Sequence, residues 1–291
     1  MAYPKPLKII PDFTKEEYIN VTPEKAAWEN LYFAARKIKQ GQTWASKTGD
    51  HEMVIVILGG VAEFTSDKQS WKKVGRRADV FSGMPYAIYV PRQTAFEIKA
   101  VSDELDLGYG WARTDQDHPM QLITPEDVTL EVRGGDNVTR QINGIVPPGF
   151  DCHKLVVVEV FSPSGNWSSF PPHKHDHHQV DKDGNIIEAD LEEIYFYKID
   201  KPKGFAYQRI YTGDGRIDEL MLVKDSELVL SPEGYHPVVS GPGNKTYYLN
   251  FLAGSAQVLT ATDDPDYAWV KNTYTSKDPR VPLVTMEMEK E

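Results

Sequence analysis

Three histidines and a carboxylate recur along this chain in the order of a metal site held inside a β-barrel. They stand in Phe170-Pro171-Pro172-His173-Lys174-His175-Asp176, in Glu192-Glu193-Ile194-Tyr195-Phe196-Tyr197 and in Pro232-Glu233-Gly234-Tyr235-His236. Side chains alternate faces along a strand, so His173 and His175 project together and Glu193 shares its face with Tyr195 and Tyr197. Neutral imidazole nitrogen and carboxylate oxygen suit Zn, Mn, Fe or Ni; thiolate chemistry is not on offer, because Cys152 is the single cysteine. His173, His175, Glu193 and His236 can fill four positions and leave room for substrate or water, the condition for a catalytic centre. A His-rich turn alone reads equally well as a solvated loop with adventitious metal affinity, since four of the eight histidines lie between His173 and His178. The carboxylate at the head of an aromatic strand, and a distant histidine directly after a Pro-x-Gly turn, weigh for a built site. His177 and His178 fall beyond the HxH pair and read as loop residues or as substrate contacts.

Short strands must position these groups. Runs with β-rich composition recur at 53–58, 61–65, 87–90, 96–100, 128–132, 155–161, 194–199, 207–211, 219–223, 228–230 and 247–252, many separated by turns such as Gly59-Gly60, Asp183-Gly184-Asn185 and Gly241-Pro242-Gly243-Asn244. Many short strands with polar turns predict an all-β chain built as jelly rolls. Thr22-Pro23-Glu24 supplies helix-start signals, and Ala27, Leu31, Ala34, Ala35 and Ile38 recur at helical spacing before Gly41. One amphipathic helix over 23–40 is therefore expected, packed outside a barrel. Residues 50–100, with a Glu52-led strand, a Gly-Gly turn and Val90-Pro91, echo the layout from Glu193 to Pro232. The first half holds only His51 and His118 and no HxH pair, so structure is expected in the first barrel, 1–135, and chemistry in the second, 136–291.

At 291 residues with 40% hydrophobic content the chain can bury a large core. A net charge of −11 disfavours nucleic acid and anionic membranes as partners, both of which need a basic surface. The N-terminal Met1-Ala2-Tyr3-Pro4-Lys5 shows no basic region followed by an apolar run, and no stretch of about 18 apolar residues occurs. With a lone cysteine, these features predict a cytoplasmic protein without disulfides. Cys152 reads as a buried small hydrophobe. Barrel edge strands are compatible with a homo-oligomer of unstated size.

The ordered set His173-x-His175, Glu193 and His236 resembles the cupin superfamily, and the two-barrel layout resembles bicupins. The motifs at 170–176, 192–197, Gly204-Phe-Ala-Tyr-Gln-Arg-Ile-Tyr211 and 232–237 look like the bicupin family that joins 5-deoxy-glucuronate isomerases to 4-deoxy-L-threo-5-hexosulose-uronate ketol-isomerases. The likeness covers nearly the whole chain, with its firmest motifs between about 133 and 252. It implies a divalent metal, zinc, on His173, His175, Glu193 and His236, and no organic cofactor. One departure is the 17-residue stretch from Asp176 to Glu192, longer than in a generic cupin; its Asp183-Gly184-Asn185 reads as a hairpin tip and a candidate lid. Glu192 rivals Glu193 as ligand, and the register of the related strand favours Glu193.

The implied reaction is an aldose-to-ketose isomerisation of a small, open-chain deoxy-uronate, which needs a base, charge stabilisation for an enediolate and an anchor for the carboxylate. Glu193, Tyr195 and His177 are the candidate catalytic residues, with His178 or a metal-bound water as other candidates for the base. Arg209 offers a bidentate anchor, and Tyr207 shares its face; if Gln208 points inward instead, it binds hydroxyls and Arg209 is a surface residue. Arg140, in a Gly-rich turn region, reads as an anchor or as half of a surface ion pair. A cupin dioxygenase and a non-catalytic sugar-acid-binding cupin are the competing functions.

Overall fold

The alternating runs become antiparallel strands that close into two jelly-roll barrels in a computed structural model, which describes residues 3–290. Met1 and Ala2 of the N-terminal stretch read above lie outside the described residues. In the first barrel a six-stranded sheet runs Gln121–Ile123, Tyr86–Val90, His51–Gly59, Glu104–Arg113, Leu31–Lys39, Glu17–Val21. It faces a four-stranded sheet of Thr43–Lys47, Ala95–Ala100, Ala62–Ser66 and Ser70–Val74. The second barrel repeats this order. Its larger sheet runs Lys8–Ile9, Leu228–Ser231, Leu191–Ile199, Thr246–Gly254, Val156–Ser162, Arg140–Val146, Thr129–Arg133, and its smaller one Trp167–Ser168, Val238–Ser240, Ala206–Tyr211, Asp218–Val223. No described helix is long and apolar enough to cross a membrane.

The repeat holds at residue register. Glu52 pairs across to Ala112 and Met53 to Trp111 and Val90; Glu192 pairs to Ala253 and Glu193 to Leu252 and Ser231. Glu52 is thus the counterpart of Glu192, not of Glu193, and the first barrel carries Met53 where the second carries a carboxylate. Around Met53 the interior is filled by Ile55, Ile57, Phe64, Ile88, Phe96 and similar side chains.

The expected helix over 23–40 is a single turn, Pro23–Ala26, closed by Ala27 in the left-handed region at φ 56°. Beyond it Leu31–Lys39 is a strand held between Glu17–Val21 and Glu104–Arg113. The start signals were sound for that turn, but the alanine spacing mimicked an amphipathic helix, and pairing on both sides overrides helix propensity.

The two larger sheets pack against each other, so their central strands are buried on both faces. Along Leu191–Ile199, Ile194 and Phe196 point into the interface with Phe33 and Phe251, while Tyr195 and Tyr197 point into their own barrel. Close approach is made possible by Gly110, where a Cβ would stand 2.4 Å from the Phe251 ring. Two carboxylates cross the interface reciprocally. Glu52 accepts the backbone N–H groups of His153, Lys154 and Leu155 at 2.8, 2.6 and 3.0 Å. Glu192 accepts those of Glu29, Asn30 and Leu31 at 2.5, 2.8 and 2.7 Å. A third crossing pairs Arg77 with Glu159, both fully buried, at 3.1 Å.

Candidate metal centre

Alternation puts Glu193, Tyr195 and Tyr197 inside the second barrel and Glu192 outside it, as the crossing bonds above require. The HxH segment is fixed on several sides. His173–Lys174 pairs with Thr262–Asp263, and His175 O accepts the Leu191 N–H at 3.0 Å. Asp176 accepts the Gly234 N–H at 2.8 Å, which ties this segment to the turn that delivers His236. That turn needs its glycine: Gly234 has φ +90° and a Cβ there would stand 2.5 Å from Tyr211 O.

His175, Glu193 and His236 converge, all buried, with ligand atoms within 4.8 Å of one another. Both histidines hold a backbone carbonyl at Nδ1, Leu191 O at 2.9 Å and Gly234 O at 2.8 Å. This places a proton on Nδ1 and aims each Nε2 at Glu193, whose Oε2 lies 3.0 Å from His175 and 3.4 Å from His236. His236 Nε2 is buried without a hydrogen-bond partner, a costly arrangement for a polar atom unless a ligand fills it. Burial pulls the pKa of His236 down to about 3, and burial with the nearby His175 pulls His173 down to about 3, so both imidazoles stay in the neutral, ligating form. Burial also acts on His175, but the hydrogen bond and charge of Glu193 outweigh it and raise its pKa. Two imidazole nitrogens and a carboxylate with an orphaned lone pair fit a divalent ion of borderline hardness. His173 stands at the edge of this trio, its ring centroid 4.8 Å from that of His236.

His173, His175 and Glu193 open onto a cavity of about 100 Å³ lined also by Arg140, Ser169, Tyr195, Tyr248 and Asn250. It shares Arg133, Arg140 and His173 with an outer vestibule of about 460 Å³ where Lys271 and Tyr274 join the wall. Arg140 is buried, and among the described residues its one hydrogen bond runs to Val138 O at 3.5 Å, with no carboxylate paired to it. The surface ion pair weighed for Arg140 is therefore not formed. Burial lowers its pKa from the usual arginine value.

Other residues expected at the site lie elsewhere. His177 is exposed, its backbone N–H bound to Glu188, and the His178 ring bonds Ser255. Tyr207 and Arg209 face outward into a groove of about 470 Å³ on the smaller sheet, where Arg209 pairs with Asp218 at 2.8 Å and lies over Tyr211. Gln208 points inward, but its carbonyl accepts the Tyr197 hydroxyl at 2.8 Å and the residue does not line the cavity. Alternation along Ala206–Tyr211 separates the two sets, and pairing of Gln208 with Val238 fixes which one is inside. Sequence reasoning missed Ser169, Tyr248 and Asn250. A polar Asn250 inside the run Tyr247-Tyr248-Leu249-Asn250-Phe251-Leu252 was the one available signal, since a buried amide needs a reason.

A family model described as the KduI/IolB family matches residues 8–270. A 5-deoxy-glucuronate isomerase of Geobacillus thermodenitrificans is 42% identical over 253 residues, covering 87% of this chain and 90% of the relative. The 5-deoxy-glucuronate isomerase of Bacillus subtilis strain 168 is 34% identical over 252 residues, covering 86% and 91%. The crystal structure of an IolB-like protein from Salmonella typhimurium LT2 superposes with a TM-score of 0.86 at 31% identity, covering 90% of this chain and 98% of that one. Oxalate decarboxylase of Bacillus subtilis shares the fold alone, with a TM-score of 0.56 at 12% identity over 84% of this chain and 74% of that one. On a match that spans most of its length, the chain belongs to the KduI/IolB family.

Proposed function

We propose that this isomerase is a metal-dependent ketol-isomerase that converts 5-deoxy-D-glucuronate into 5-dehydro-2-deoxy-D-gluconate in the cytoplasm, as a step of inositol catabolism. The observation that carries the reading is an unpaired, buried guanidinium, Arg140, in the same cavity as His173, His175 and Glu193. An anionic substrate would meet its counter-charge and the metal ligands together. The names of the relatives at 34–42% identity support the substrate.

A divalent ion, zinc in this reading, would be held by His173, His175, Glu193 and His236 and would polarise the carbonyl and the neighbouring hydroxyl oxygen. Arg140 takes the carboxylate through two parallel N–H bonds, which fixes the chain end and orients C1 and C2. Tyr195 and Tyr248 present hydroxyls to the substrate oxygens. Among the described residues, Glu193 is the only carboxylate that lines the cavity. It is assigned the proton transfer: the proton leaves C2, the O2 hydroxyl proton passes to O1, and a proton returns to C1. No electrons leave the substrate, so no oxidant is consumed.

Anaerobic incubation of zinc-loaded protein with 5-deoxy-D-glucuronate, followed by NMR, tests the reading. Loss of the aldehyde with appearance of the ketone is expected. No conversion, with oxygen uptake on related substrates in air, would replace the isomerase by a dioxygenase.

A further inference from the structure

Two consecutive serines reach the same tyrosine, which a regular strand cannot arrange. Trp167–Ser168 is a short strand paired with Val238–Ser240, and the buried Ser168 hydroxyl bonds the Tyr248 hydroxyl. Alternation would turn Ser169 to the opposite face. Instead Ser169 adopts φ +50°, and its hydroxyl lies 3.5 Å from Tyr248 Oη and 3.3 Å from Tyr195 Oη. Ser169 is 6% exposed and lines the cavity with His175 and Glu193.

A left-handed backbone is unfavourable for a residue with a Cβ and free for glycine, so the chain keeps strain here to retain this side chain. Stability does not repay it, because bonds of 3.3 and 3.5 Å sit at the weak end of the hydrogen-bond range. What the conformation does secure is orientation. Tyr195 and Tyr248 stand on neighbouring strands with ring centroids 4.9 Å apart, and each hydroxyl has one proton to place. Ser168 and Ser169 together occupy the serine side of both hydroxyls.

Resting on the ketol-isomerase reading, we propose that Ser169 is a positioning residue of this site: it sets the Tyr195 and Tyr248 hydroxyls so that they meet the developing enediolate. Its contribution belongs to the reaction step and not to folding or metal uptake.

Ser169→Gly and Ser169→Ala, each zinc-loaded, test this beside wild type. Ser169→Gly should keep its zinc content and a Tm within about 3 °C of wild type, because it relieves the strained φ. Its kcat should fall at least about tenfold with KM within about twofold, as expected when reacting groups are mis-set. Ser169→Ala should lose kcat to the same degree and melt below Ser169→Gly, since it keeps the strain without the hydroxyl. A Ser169→Gly enzyme with wild-type kcat, or one that only melts lower with its kcat intact, would overturn the proposal. Should wild type itself fail to convert the uronate, the function reading falls separately, and calorimetric titration with the hydroxamate of a linear polyhydroxy acid, a mimic of the enediolate, decides this point. Binding weakened about tenfold in Ser169→Gly sustains it, and equal binding overturns it.

Discussion

At the scale of single residues, the proposed reading divides labour between groups that would hold an ion and a group that would meet an anion. His175 and His236 owe their ligating geometry to carbonyls at Nδ1, and Glu193 completes the trio. His236→Ala should therefore lose bound zinc and nearly all turnover while the barrel stays folded, as read by metal analysis and circular dichroism. Arg140 predicts a different signature. Arg140→Met should retain zinc yet lower kcat/KM about a hundredfold or more, because a charge-assisted, bidentate anchor is removed while the metal ligands are untouched. Equal losses of zinc in both variants would contradict the division. The convergence of His175, Glu193 and His236 was legible because imidazoles and carboxylates are rare inside barrels, and the structure brings these three together with His173 at their edge. Arg140 could not be resolved, since a sequence does not say whether an arginine has a carboxylate beside it.

At the scale of elements, the hairpin after the HxH segment is pinned by one buried carboxylate. Gln179–Val180 pairs with Ile186–Glu188, and Glu188 accepts Lys174 Nζ at 2.8 Å and the N–H groups of Asp176 and His177 at 2.9 and 3.1 Å. Burial raises the Glu188 pKa, but the Lys174, Thr262 and backbone hydrogen bonds outweigh it, so the folded value lies below the usual 4.5. A depressed carboxylate pKa gives stabilisation that is full above the unfolded value, about pH 4.5, and is lost as pH falls through the folded one. The protection of the Asp176 and His177 amides, taken relative to intrinsic exchange rates that themselves slow as pH drops, should fall on acidification, and Glu188→Gln should show the lower protection already at neutral pH. No difference between the variant and wild type would contradict this role. Strand existence was legible from alternation and turn residues; partner choice was not. The stretch 31–39 shows why: its alanines carry no information about which face is buried, and only its two neighbouring strands make it a strand. The same holds for Gln208 and Arg209, where alternation predicts two opposite faces and pairing with Val238 selects between them.

At the scale of the molecule, the barrels share one core and three buried carboxylate crossings, so they should unfold as one unit. Calorimetry should give a single transition; two separable transitions would contradict the shared core. Breaking the Arg77–Glu159 pair by Arg77→Ala leaves a buried, unpaired charge and should cost about 3–5 kcal/mol by chemical denaturation. Replacing both partners with Met and Leu should restore most of that stability. Among the described residues only the second barrel brings such a His/Glu cluster together, because Met53 stands in the first barrel where Glu193 stands in the second and apolar side chains fill that barrel. The proposed reading puts catalysis at a single metal centre in the second barrel. Its most direct test strips the protein with a chelator, titrates zinc back and follows bound ions and anaerobic turnover of 5-deoxy-D-glucuronate together. Turnover should vanish on stripping and return in proportion to zinc, saturating at one ion per chain, with no recovery in His236→Ala. Full turnover by the stripped protein, or recovery in that variant, would contradict the account.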